Sequence, residues 1–120
     1  MRSVYDIIDV DKEGLPVSFD VVLGVETFIL GFDYNETGDF FTVDIYKSDD
    51  EGNEVPVVLG EKMSLGAPLW KDLVMKELPA PTLVPLDLGG QERRISFDNF
   101  GETVFLYVDD GPPEEVDADE

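Results

Sequence analysis

Between residues 17 and 46 apolar and polar side chains alternate, and a repeat of two sends successive side chains to opposite faces of a β-strand. No helix of useful length fits that spacing, so this stretch constrains the fold more than any other. In PVSFDVVL, Val17, Phe19, Val21 and Leu23 share one face, with Ser18 and Asp20 on the other. Gly24 then turns the chain. In VETFILGFDY the apolar face is Phe28, Leu30, Phe32 and Tyr34, and in DFFTVDIYK it is Phe41, Val43 and Ile45 against Thr42 and Asp44. Two consecutive hairpins are expected. Their second reversal, Asn35-Glu36-Thr37-Gly38, joins a residue tolerant of positive φ to a glycine, as a tight turn requires.

The polar run KSDDEGNE predicts a third hairpin, followed by a strand over residues 55–59. Pro56 cannot donate to a ladder, which places that strand at an edge or starts it near the proline. From Glu61 to Pro85 the pattern weakens. Leu69, Trp70, Leu73 and Val74 have the spacing of a short amphipathic helix, while Leu73 and Met75 also suit a strand; the segment reads as a loop with one helical turn. Pro79, Pro81 and Pro85 disfavour helix and predict an extended run across the surface or along an edge. Gly89-Gly90 turns the chain into two last expected strands, Arg93–Phe97 and Thr103–Val108, separated by the turn-rich Asp98-Asn99-Phe100-Gly101. Short strands and frequent turns give an all-β fold, a small antiparallel β-sandwich or barrel, as one domain over residues 1–108.

Charge bounds the partners. The chain has 28 acids against 8 bases, a net charge of −20, which repels nucleic-acid phosphates and anionic membranes and attracts basic surfaces. Residues 109–120, DDGPPEEVDADE, hold seven of those acids, no base and one large apolar residue, Val116, too little apolar surface to offset ordering entropy, so an acidic tail is expected that is disordered or held by a partner. Subtracting it leaves 28 − 7 = 21 acids and 8 bases, so the folded body still carries −13. No stretch has the length of a membrane span, and MRSVYDIIDVDKEG has acids where a signal peptide needs apolar residues.

With no histidine and no cysteine, an imidazole or thiolate zinc site, a thiol nucleophile and an imidazole-based triad are closed. The Gly motifs lack the lysine and strand-to-helix context of a phosphate loop, and no serine sits in a nucleophile-elbow frame. Asp33, Asn35, Thr37, Asp39 and Asp44 approximate calcium-loop spacing, and Asp49, Asp50, Glu51, Asn53 and Glu54 form a second oxygen-rich cluster. Strand-like flanks and turn chemistry make hairpin tips the stronger reading of both. No catalytic, cofactor or metal residue is assigned. Possible partner-binding residues are Trp70, an aromatic anchor or a core plug; Arg93 and Arg94, which on a strand would face opposite ways and reach carboxylates of this chain or a neighbour; and the acids Asp109, Asp110, Glu114 and Glu115.

The order of these elements resembles the small baseplate plug proteins of tailed bacteriophages. The likeness is carried by VVLGVETFILGFDYN with its Tyr34-Asn35 pair, by the Val43-Asp44-Ile45 strand, by the spacing from Leu59-Gly60 to Leu65-Gly66, by LPAPTLVPLDL and by the closing VFLYV. It spans roughly residues 17 to 108. Phe41 stands where the family often has Trp, and the acidic N-terminal strand is additional. The resemblance implies a non-enzymatic structural component of the virion tail, made in the host cytoplasm and set at the hub or distal end of the tube. Its partners would be tail-tube, hub or baseplate proteins, with no membrane and no direct nucleic-acid contact. The rival reading from another class is a DNA mimic presenting carboxylates to a host DNA-binding protein, motivated by the same −20. A host β-domain interaction module is a third.

Overall fold

The computed structural model describes residues 6–73 and 77–109. Among them seven strands make two antiparallel sheets. β2 (Val17–Leu23), β3 (Glu26–Asn35), β4 (Phe40–Ser48) and β5 (Glu54–Lys62) follow one another as a meander in the larger sheet. β1 (Asp6–Ile8), β6 (Thr82–Leu86) and β7 (Phe105–Asp109) form the smaller one in the order β1-β7-β6. Apart from one 3-10 turn at Lys12–Gly14 there is no helix among the described residues.

The alternating faces meet between the sheets. Phe28, Leu30 and Phe32 of β3 and Phe41, Val43 and Ile45 of β4 pack in one buried cluster with Ile8, Leu83, Leu106 and Val108 of the facing sheet. Two sheets closing on a single core make a sandwich rather than a closed barrel. Of the predicted set on β3 and β4 all but Tyr34 are buried, with Phe41, Val43 and Ile45 each 0% exposed and Tyr34 half-buried against the core. β2 carries the same alternation with Val17, Phe19 and Val21 half-buried and Leu23 buried, because it is an edge strand with one neighbour.

Each edge has its own treatment. β5 is the predicted proline-bearing edge, and its pairing to β4 slips on both sides of Ile45. The first slip falls at Gly60, in the left-handed region at φ +75, and the Asp44 carboxylate accepts the Gly60 N–H at 2.6 Å. Bulges and proline together make a poor template for another strand. The outer side of β6 is covered by its own chain, with Gly66 N–H donating to the Pro85 carbonyl at 2.7 Å and Leu69 N–H to that of Leu83 at 2.8 Å. β1 is three residues long in its described part. That leaves β2 as the long unguarded edge among the described residues.

Two expectations need correction. Arg93–Phe97 is not a strand. Side chains take the backbone donors and acceptors that a ladder would need: Asp39 accepts from Phe97 N–H, and Asn99 accepts from Ser96 N–H while donating to the Arg94 carbonyl. Such local bonding competes directly with strand pairing. The helical turn near Leu69–Leu73 is a plain turn in its described part, closed by Leu73 N–H to the Trp70 carbonyl at 3.0 Å; Val74 and Met75 lie outside the described residues.

Candidate functional site

The second hairpin reversal organises one end of the sandwich. Asn35 begins the turn: its side chain accepts the Gly38 N–H at 2.9 Å and its carbonyl the Asp39 N–H at 2.8 Å. The residue with positive φ is Asp39, at +56, rather than Asn35 or Gly38. Gly38 serves a different need, since a Cβ there would stand 2.5 Å from the Phe40 ring. So placed, the Asp39 carboxylate accepts from the Tyr34 hydroxyl at 2.6 Å and from Phe97 N–H at 3.0 Å, and pairs with Arg94 at 3.1 Å. Arg94 also donates to the Asp39 carbonyl at 2.8 Å. One carboxylate thus ties the loop 93–100 to the β3–β4 turn, 55 residues away in sequence from Arg94.

These bonds hold Asp39 below its ordinary value of 3.8, the Tyr34 hydroxyl contributing most, then the Phe97 N–H. The same contact, aided by partial burial, pushes the Tyr34 phenol up to about 12. Asp49 and Asp87 are likewise lowered, each by backbone N–H donors of its own loop. A carboxylate with a depressed native pKa contributes stability that is complete above the unfolded value and is lost as pH falls through the native one. Stability should therefore decline with acidification below about 3.8. Asp39→Asn should be less stable than the parent at pH 7, with the gap narrowing toward pH 3 in a series of urea titrations; an unchanged gap across that range would remove Asp39 from this role.

Around this anchor lies a groove of about 370 Å³ whose basic lining residues are Lys62, Arg93 and Arg94. Three of the eight bases of a −20 chain meet there. The register brings them together: Thr42 of β4 pairs with Lys62 at the end of β5, while the Asp39 ion pair draws in the loop bearing both arginines. Arg93 and Arg94 thus line one groove instead of pointing to opposite faces. Nearby acids are turned elsewhere. Glu92 accepts from Asn99 and Thr103, and Glu61 accepts the Trp70 N–H at 2.9 Å. Lys62 has only the face of Phe40, 4.8 Å from its ring centre, and Arg93 has no ion-pair partner among the described residues. The sequence reading missed Lys62, since nothing in its neighbourhood along the chain marks it.

Trp70 sits in the core cluster at 5% exposure, with its backbone at φ +58 and its buried indole N–H without a hydrogen-bond partner among the described residues. It also lines a shallow proline-walled hollow with Pro68, Pro79 and Pro81. Asp109 is the last residue of β7, opposite Thr82, rather than the first of the tail. Asp110, Glu114 and Glu115 lie outside the described residues.

The calcium-like spacing is dispersed by the fold. Asp33 accepts from the adjacent Tyr34 N–H, Asp39 is engaged as above, and Asp44 faces Gly60. In the other oxygen-rich cluster Asp49 turns inward to close its own hairpin, accepting from Glu51 and Asn53. No group of three or more acids is placed to hold a metal ion among the described residues.

Residues 5–112 match the family model described as Cyanophage baseplate Pam3 plug gp18. No curated protein matches the chain.

Proposed function

The chain belongs to the Cyanophage baseplate Pam3 plug gp18 family, and from that premise we propose that it is a non-enzymatic structural subunit of a tailed-phage baseplate, seated at the hub or distal end of the tail tube. Family membership carries this reading, and three physical features support it. The sandwich offers a long open edge on β2, where the alternate residues Ser18, Asp20 and Val22 turn their backbone N–H and C=O groups away from β3 in the antiparallel pattern. A neighbouring chain can add a strand there. The apolar residues Val22 and Val25, 68% and 98% exposed at the tip of the β2–β3 hairpin, give such a neighbour something to cover. The anionic exterior suits a site beside a DNA conduit, because passing phosphates find little to hold them.

The partners on this reading are tail-tube, hub or baseplate subunits with basic faces, and synthesis takes place in the host cytoplasm before assembly into the virion. Mass spectrometry of gradient-purified particles should find the chain at fixed stoichiometry with baseplate proteins, and deleting its gene should yield particles lacking a complete tail tip. Its absence from particles, together with inhibition of a host DNA-binding protein by the free chain, would replace this reading with the DNA-mimic one.

A further inference from the structure

The cationic groove and Asp109, the last described residue, stand at opposite ends of the sandwich. The tip of the β2–β3 hairpin at Gly24 packs against Ala80 and Pro81, next to Thr82, and Thr82 pairs with Asp109. Residue 110 therefore follows from the end that carries the β2–β3 tip. The groove is lined by Gly38, Asp39 and Phe40 of the β3–β4 turn, at the other end of the same β3 strand. Residues 110–120 contain six acids and no base. A copy's own segment starts away from its own groove and would have to double back along the sandwich, whereas the segment of a copy stacked end to end starts beside it.

We propose that the groove formed by Lys62, Arg93 and Arg94 receives the acidic segment 110–120 of a second copy of this chain. The chemistry matches on both sides. Two of the three bases lack an acidic partner among the described residues, the acids beside them are bonded elsewhere, and arginine offers a forked donor for carboxylates. The contact is heterologous, tail of one copy to groove of the next, so it generates a ring when the rotation closes. It does not depend on the position assigned within the baseplate, since it uses only surfaces of this chain.

The test is a charge exchange in full-length protein. Lys62→Glu with Arg93→Glu carries −20 − 4 = −24, and Glu114→Lys with Glu115→Lys and Asp117→Lys carries −20 + 6 = −14. Both variants stay strongly negative, so indiscriminate attraction cannot pair them. Arg94 is left alone because it anchors Asp39. In sedimentation velocity at roughly 20 mM salt the parent should associate as its concentration rises, and association should fade near 0.5 M. Each variant alone should associate at least about tenfold more weakly, as expected for the loss of several exposed ion pairs. An equimolar mixture of the two should recover the parent's behaviour. Circular dichroism matching the parent's establishes that both variants fold. A monomeric mixture, a variant that associates like the parent, or a parent whose sedimentation is independent of concentration each overturns the proposal. So does a groove that binds inorganic phosphate while the exchanged pair stays apart.

Discussion

Val43→Asp should prevent folding, whereas Thr42→Asp, one residue earlier, should leave the protein folded. The two positions differ by a single step of the β4 pleat. Val43 is 0% exposed, between Phe32 on one side and Glu61 on the other. An aspartate there enters the core without a base to pair with, beside the carboxylate that already holds the Trp70 N–H. An unpaired buried charge costs several kcal/mol, on the order of 3–5, which is a large share of the roughly 5–15 kcal/mol that holds a domain of this kind together. Thr42 faces the other way, between Asp33 on β3 and Lys62 on β5, so a carboxylate there meets one like and one opposite charge across the strands and stays outside the core. The expected shift for Thr42→Asp is within about 0.5 kcal/mol. Far-UV circular dichroism and urea midpoints of the two variants decide the matter. A folded Val43→Asp chain would mean that β4 can slip its register and that the buried face is not as described.

That contrast also explains which parts of the fold the sequence reveals. In an antiparallel sheet with one wet face, the pleat imposes its repeat on composition, so Phe28, Leu30, Phe32, Phe41, Val43 and Ile45 declare their side without knowledge of the neighbours. Pro56 similarly announces an edge, because the missing donor is a property of the residue itself. Arg93–Phe97 shows where this stops. Ile95 is buried and Phe97 partly so, as alternation requires, yet the backbone there bonds to Asp39 and Asn99 instead of a strand. Alternation records which side chains turn inward; it does not say what the backbone bonds to.

The candidate site was less legible for the same reason. Lys62 lies 31 residues before Arg93, and only the β4–β5 register combined with the Asp39 anchor makes them neighbours. Charge counting gave the sign of the surface as a whole and hid a local reversal of that sign. Asp39 was visible only as one of several oxygens in an apparent cation loop. Its three partners, Tyr34, Arg94 and Phe97, come from β3 and a distant loop, and no spacing along the chain relates them.

Phe41→Ala should couple the core to that groove. Phe41 is 0% exposed, with the rings of Tyr34 at 4.9 Å, Phe100 at 4.7 Å and Phe97 at 6.2 Å. Truncation removes the ring against which loop 93–104 rests, and a buried Phe→Ala change costs about 3–5 kcal/mol through lost transfer energy and the cavity left behind. Because the loop has no strand ladder of its own, the loss should appear there first. The amides of Phe100 and Gly101, which donate to Ser96 and Val104, should exchange with solvent faster than those of β3 and β4. Arg93 and Arg94 ride on the same loop, so the proposed contact with the acidic segment should weaken under conditions where the sheets remain formed. Phe41→Leu keeps most of the volume and should cost less than about 1.5 kcal/mol. Hydrogen exchange across residues 95–104, set beside the urea midpoint, separates the two effects. Uniform loss of protection over the whole sandwich would show instead that the loop and the sheets unfold as one unit, leaving the groove no independence from the core.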